Sequence, residues 1–241
     1  MIFKKIDQYK AQIEDLRPFE GDMLKQIKDY YKILLTYSSG AMEGNKLTET
    51  EVKILLEEHL TVGEKSKWDY YEAIGHARAY DYLYTIDKND AIGEEHIKTM
   101  QRLLYSQVDA EQNGFYRQKH VRITDSRYAT PTPDKIASLM SNFTDWLVRN
   151  EGQLHPVEFA AQAHKKLLFI WPFFVGNRRV AILLMNLCLI RKGYSMAIIP
   201  PTLRSKYIML LEKAHEDDKP FIDFIAERVE ESQRDLIRLL K

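Results

Sequence analysis

Apolar residues recur every three or four positions along most of the 241-residue chain, and this spacing constrains the fold more than any other feature. It is the period of an α-helix with one apolar face. One such run begins near Ile6, and Thr48 followed by Glu51 is a typical helix start before another. The apolar stretches are shorter than the roughly 20 residues that a membrane span needs. The pattern predicts a mainly α-helical protein.

The segment 115–130 departs from this pattern. Val121 and Ile123 lie two positions apart, and Asp125-Ser126 is a turn signal. We therefore predict one small β-hairpin here. Its edge could accept an extended segment of a partner protein, and the alternative is a hairpin that binds nothing.

Charge and cysteine content narrow the class of protein. The chain has 35 basic and 35 acidic residues, so its formal net charge is zero. This balance argues against a broad electrostatic footprint, and we expect neither nucleic acid nor membrane as a partner. The single cysteine, Cys188, lies in an apolar run and cannot form an internal disulfide. A reducing compartment, the cytoplasm, is therefore the expected location.

The segment 171–179 joins two apolar helical stretches and is the strongest candidate for a binding site. Gly176 and Asn177 open the second helix, and Arg178 and Arg179 follow at once. A helix N-terminus presents unpaired N–H groups and a partial positive charge, and arginine adds charge-assisted hydrogen bonds to an anion. Taken alone, the segment predicts either a phosphate site or an ordinary helix–loop–helix corner with solvated arginines.

The same segment, Trp-Pro-Phe-Phe-Val-Gly-Asn-Arg-Arg, resembles the signature His-Pro-Phe-x-Asp/Glu-Gly-Asn-Gly-Arg of the Fic (Fido) domain family. The stretches on both sides of it, and the segment 115–130, are similar to the family's flanking helices and its flap. Upstream, residues 39–44 resemble the inhibitory motif Ser/Thr-x-x-x-Glu-Gly/Asn, which marks the subclass with an N-terminal inhibitory helix. The motif positions are Ser39, Glu43 and Gly44.

The resemblance implies a Fic-type helical bundle with one small β-hairpin flap. It divides the chain into an N-terminal helical region over 1–95 and a Fic core over 96–241, packed as one globular unit. The family transfers AMP from ATP to a hydroxyl of a target protein. ATP is therefore the candidate ligand, an unidentified protein is the candidate target or partner, and a homodimer is the assembly that analogy suggests. The implied site residues are Gly176, Asn177, Arg178 and Arg179 for nucleotide or phosphate, and Val121, Arg122, Ile123 and Thr124 for the target segment.

Two positions of the signature lack the chemical groups that the family has there, a general base and a magnesium ligand. Trp171 stands where the family has its general base, and an indole N–H cannot accept a proton at neutral pH. Val175 stands where an acidic residue holds Mg²⁺, and its isopropyl group offers no oxygen ligand. His164, on an apolar helical stripe, is read as a core histidine. We therefore expect no intact catalytic residue, no metal at the motif and an impaired transferase.

The inhibitory motif departs from the family as well. The arginine that normally pairs with the inhibitory glutamate, three residues after the signature arginine, is Ile182 here. Glu43 consequently has no matching partner at that position. Arg178 replaces the second glycine of the signature and adds both bulk and positive charge.

Three functions are compatible with these residues. The first is a catalytically impaired Fic protein that acts by binding a protein partner or, with low affinity, a nucleotide. The second is an active nucleotidyl or phosphodiester transferase with non-standard chemistry. The third is a partner-binding helical protein with an empty pocket.

Overall fold

The computed structural model describes residues 2–16, 19–108 and 113–240. Within these ranges the chain forms α-helices and one 3₁₀ turn but no strand, which confirms the prediction of a mainly α protein. No helix in the described ranges is long and apolar enough to cross a membrane. The helices are α1 (Ile2–Asp15), α2 (Gly21–Met42), α3 (Glu49–Glu57), α4 (Lys67–Leu83), α5 (Glu94–Tyr105), α6 (Pro133–Asn150), α7 (Pro156–Ile170), α8 (Asn177–Arg191), α9 (Arg204–Lys213) and α10 (Lys219–Leu239).

Helix α8 lies at the centre of the molecule, and 12 of its 15 residues are buried. A helix that is buried all round must be covered on every side. Helix α7 packs along α8, while α4 packs on α5 and α1 packs on α10. One apolar cluster contains side chains such as Leu35 and Leu183, from both sides of the predicted boundary at residues 95 and 96. The division into two regions stays a prediction.

Helices α2 and α3 lie nearest the motif at residues 39–44. The Thr48 hydroxyl accepts a hydrogen bond from the Glu51 N–H at 3.2 Å, and the Thr48 N–H donates to Glu51 Oε2 at 2.7 Å. This reciprocal cap confirms the predicted start of α3. Helix α2 runs past Gly40 to Met42, and the helical conformation stops at Glu43. Glu43 therefore caps the C-terminus of α2.

The prediction of a β-hairpin over 115–130 is wrong. In the described part of the chain this region, called the flap segment here, is an irregular loop. Its carbonyl groups are satisfied by side chains rather than by a facing strand. The Arg117 guanidinium donates to the carbonyls of Lys119 at 3.0 Å and Pro131 at 2.6 Å, and the Thr130 hydroxyl donates to Val121 O at 2.6 Å. These bonds replace the ladder that a hairpin would need.

Candidate functional site

The segment 171–179, called the motif loop here, begins where α7 ends. Trp171 caps α7 in the left-handed conformation, with φ 51° and ψ 59°, and its N–H donates to Leu167 O at 3.0 Å. This conformation costs a non-glycine residue roughly 1–2 kcal/mol, so neighbouring contacts must hold it. Arg117 supplies two of them. Its Nε donates to Trp171 O at 2.8 Å, and its N–H donates to Pro172 O at 2.9 Å.

Asn177 and Gly176 set the shape of the second half of the motif loop. The Asn177 side chain accepts from the Phe173 N–H at 2.9 Å and donates to the Phe173 carbonyl at 2.8 Å, which closes the turn. Gly176 has φ +83°, and a Cβ there would lie 2.4 Å from the Tyr105 ring. Glycine is therefore required at this position. The first N–H groups of α8 lack intrahelical acceptors, as at any helix N-terminus.

Arg178 is held from three directions. Its Nη1 lies 3.3 Å from Glu43 Oε1, and its Nη2 lies 3.4 Å from Asp125 Oδ2. Its guanidinium carbon lies 5.3 Å from the centre of the Trp171 ring, a cation–π distance. Only 13% of the Arg178 side chain is exposed, so these contacts are partly shielded from solvent. The arginine is thus engaged by groups of the protein itself.

The partner of Glu43 is the feature that the sequence interpretation missed. Ile182 is buried and offers no charge, as expected, but Arg178 supplies the pairing group four residues earlier. The two residues lie 135 positions apart in the chain, so no local pattern could reveal the contact. The extra arginine of the motif loop was the one available signal. The ion pair joins the end of α2 to the start of α8.

Asp125 extends this contact to α9. Its Oδ2 also accepts from Arg204 Nη2 at 3.1 Å, and Arg204 Nε donates to Met42 O at 2.8 Å. The chain of contacts therefore closes on α2, next to Glu43. These contacts hold the flap segment against the motif loop. They involve charged groups at the end of α2, in the flap segment, at the start of α8 and on α9.

Arg179 points away from this network. Its side chain is 4% exposed, its Nη2 lies 3.1 Å from Glu72 Oε2, and its guanidinium carbon lies 5.7 Å from the Tyr105 ring centre. Burial acts to lower the pKa of Arg179, but Tyr105, Glu72 and Glu43 together outweigh it and the pKa lies above its ordinary value. Arg179 is a buried cation that ties α8 to α4.

The remaining predicted site residues fall around the same loop. Val175 is half-buried, and Ser39 lies buried on α2. Gly44 follows α2 with φ +93°. In the flap segment, Ile123 accepts a turn hydrogen bond from the Ser126 N–H at 3.2 Å, and Val121 accepts from Thr130, while Arg122 and Thr124 are exposed.

His164 lies in the core of the protein. It is fully buried, and its Nε2 lies 2.9 Å from the Tyr207 hydroxyl. Burial lowers the pKa of His164 to about 4. Its place in the core agrees with the sequence interpretation. In the described ranges, no three His, Cys, Asp or Glu side chains are grouped as a metal ion would need.

Two small cavities lie beside the motif loop. The cavity next to Trp171 and Arg178 has a volume of about 40 Å³, and the one next to Arg179 has about 10 Å³. Pockets for drug-sized molecules measure roughly 300–1,000 Å³. Neither of these two cavities is large enough for a molecule of that size.

The far end of the flap segment is fixed by a stack of rings. The His215 ring lies 3.7 Å from the Tyr128 ring and 3.7 Å from the Phe169 ring, with interplanar angles of 18° and 9°. Glu212 accepts from the Arg127 N–H at 2.8 Å. No sequence signal pointed to this stack. Together with the Asp125 contacts, it holds the flap segment at both its middle and its end.

Replacing Arg117 by lysine is expected to lower the free energy of unfolding by about 2 kcal/mol, because an ammonium group cannot reach the carbonyls that the planar guanidinium serves. Arg117 is 3% exposed, so the substituted ammonium group would lie in a buried position with fewer hydrogen bonds. Urea denaturation measures the loss, and limited proteolysis should show faster cleavage within the flap segment. Arg122→Lys, the same change at an exposed position, should do neither. Equal stability of the two variants would contradict this role.

Comparison with known proteins identifies relatives across almost the whole chain. The profile of the Fic/DOC family matches residues 91–189. Proteins named protein adenylyltransferase Fic from Nematostella vectensis and Drosophila willistoni are 34% and 37% identical over 226 and 230 residues. These alignments cover 92% and 94% of this chain but 52% and 46% of the relatives. The chain therefore spans about half the length of the curated relatives it matches.

Solved structures share the architecture. A Fic domain containing signaling protein from Bacteroides thetaiotaomicron superposes with a TM-score of 0.90 at 28% identity, covering 98% of this chain and 97% of that one. Fic-1 from C. elegans gives a TM-score of 0.88 at 26% identity, covering 99% and 71%. The helical arrangement around the motif loop is therefore that of these proteins.

Proposed function

The chain belongs to the Fic/DOC family, and on that premise we propose that it is a catalytically impaired member that acts by binding. The relatives carry the name protein adenylyltransferase, but two residues that this reaction needs are absent here. Trp171 has no basic nitrogen to take a proton from a target hydroxyl. Val175 has no oxygen for Mg²⁺, so the residues present do not fit that metal.

The observation that carries this proposal is that Arg178 is paired with groups of the protein itself. Glu43 and Asp125 neutralise its charge, and the Trp171 ring covers one side of it. The family signature has glycine at this position, which leaves the start of α8 open to a phosphate group. Here the contacts stabilise a closed loop instead.

Within this proposal, Gly176, Asn177, Arg178 and Arg179 form an anion site of low affinity. The backbone N–H groups at the start of α8 would bind a phosphate group, and Arg178 would turn towards it after releasing Glu43. Arg179 would support the site by holding α8 in place through Glu72. The ligand would bind without Mg²⁺, because the motif loop offers the metal no carboxylate.

A protein partner is the second part of the proposal. Phe115 is 69% exposed and Phe174 is 48% exposed, although both are large aromatic residues. Each lies within two residues of the hydrogen bond that joins Arg117 to Pro172. Exposed aromatic side chains are common anchors in protein interfaces. We propose that Phe115 and residues 121–124 of the flap segment, together with Phe174 of the motif loop, present a surface to a partner in the cytoplasm.

A thermal-melt series tests the anion site. Phosphate, ADP and ATP should each raise the melting temperature by a few degrees at most, and Mg²⁺ should add nothing to the ATP effect. Arg178→Ala should remove the shift, whereas Glu43→Ala should enlarge it because Arg178 then loses one of its two carboxylate partners. A Mg²⁺-dependent shift would contradict the proposal, and the absence of any shift in Glu43→Ala would favour the empty pocket.

The alternative of an active enzyme with different chemistry has its own test. The chain would be incubated with a panel of nucleotide and phosphodiester donors and examined by intact mass. Our proposal predicts no adduct with any donor. A covalent adduct that Trp171→Ala or Arg178→Ala abolishes would establish the alternative.

A further inference from the structure

A cleft lies where α4 and α8 end. It is far larger than the two cavities beside the motif loop. Its volume is about 830 Å³, within the range of small-molecule sites. Its floor is apolar and aromatic, because Tyr31, Leu83, Ile86 and Met196 line it and each is buried in the fold. The buried Ser195 adds a hydroxyl to this lining.

The rim of this cleft carries an excess of positive charge. Lys28, Lys88 and Arg191 contribute three cations, whereas Asp87 contributes one carboxylate. The Lys28 ammonium lies 4.4 Å from the centre of the Tyr84 ring, which places it over the wall of the cleft. Arg191 is anchored, because its Nη2 donates to Asp90 O at 2.6 Å. The two lysines are therefore the cations best able to move to a ligand.

We propose that this cleft binds a small amphipathic carboxylate. The apolar body of the ligand would lie on the floor beside Ile86 and Met196, where burial of carbon is favourable. Its single negative charge would meet Lys28 and Lys88 at the rim, where it stays partly hydrated. A wholly apolar ligand would leave the excess positive charge of the rim unused.

The cleft and the motif loop are separate sites. Helix α8 has the motif loop at its N-terminus and the cleft at its C-terminus. A helix of 15 residues is roughly 20 Å long, so a small ligand in the cleft cannot touch Arg178. Ligand binding to the cleft can therefore be tested independently of the proposed function.

Isothermal titration calorimetry with decanoate tests the assignment, with decanol as the uncharged probe and acetate as the head group alone. We expect saturable binding of one decanoate per chain, weaker binding of decanol and none of acetate. The double substitution Lys28→Ala and Lys88→Ala should weaken decanoate binding about fivefold to tenfold, as expected for two exposed ion pairs. Lys135→Ala, which removes an exposed lysine on α6, should leave the affinity unchanged.

A variant that fills the cleft provides the second arm. Ile27→Trp adds bulk to a half-buried lining residue and should abolish decanoate binding while the circular dichroism spectrum stays helical. If that variant fails to fold, the double lysine variant still decides the question. Absence of saturable decanoate binding to the unmodified chain, or equal affinities for decanoate and decanol, would overturn the proposal.

Discussion

Trp171→His alone should leave AMP transfer at background, whereas combining it with Val175→Asp and Arg178→Gly should raise transfer by about a thousandfold or more. A general base typically contributes roughly 10²–10⁴ in rate, and a metal ion stabilises the transferring phosphoryl group by several kcal/mol. The single change restores the first group only. The triple change restores both and also removes the side chain that binds Glu43 and Asp125.

Two controls separate chemistry from packing in this series. Trp171→Phe changes the same side chain without adding a base, so it should not restore transfer in any background. Val175→Asn, placed in the triple variant instead of aspartate, keeps the size of the side chain but removes its negative charge, and should lose most of the gain. Vigorous transfer by Trp171→His alone would show that Val175 does not limit the reaction.

Acidification from pH 7 to pH 4 should destabilise the fold by roughly 3 kcal/mol through His164 alone. Burial lowers the pKa of His164 to about 4, and burial, with Arg179 beside it, lowers that of His76 to about 3. In the unfolded chain both histidines would titrate near pH 6.5. Below that pH the unfolded state binds protons that the folded state excludes. The stability is therefore complete above pH 6.5 and is lost as the pH falls towards 4.

His164→Phe tests this prediction by urea denaturation at pH 7, 5.5 and 4. The variant should be less stable at pH 7 by about 1–2 kcal/mol, because the Tyr207 hydroxyl loses its partner. Its stability should nevertheless fall less steeply with acid, and His76 should account for much of the remaining slope. His120→Ala, at an exposed position, should keep the slope of the unmodified chain. Parallel pH profiles for His164→Phe and the unmodified chain would refute the assignment.

Much of the helical framework could be predicted because its signals are local. The cap between Thr48 and Glu51 lies within four residues. The apolar stripe of α7 and the nearly continuous apolar run of α8 mark them as core helices. The flap segment failed as a hairpin prediction because Arg117, which looks like an ordinary surface residue, folds inward to bond the carbonyls. Side-chain bonds of this kind leave no periodic trace in a sequence.

Only part of the candidate site could be predicted from the sequence. The proposed loss of base and metal ligand was inferred from the identities of Trp171 and Val175 alone. The pairing of Arg178 with Glu43 could not be found, because it depends on how α2 and α8 meet in three dimensions. The structure thus adds that the motif loop is closed by contacts with distant residues.

Transfer of label from ATP labelled in its α-phosphate tests the central claim most directly. The unmodified chain would be incubated with this ATP and Mg²⁺, alone and with a cell lysate, and compared with Glu43→Ala so that closure of the loop is not the limiting factor. We predict that no protein acquires label above the level seen with heat-denatured chain in either case. Label appearing on this chain or on a lysate protein, in proportion to the amount of chain added, would contradict the account.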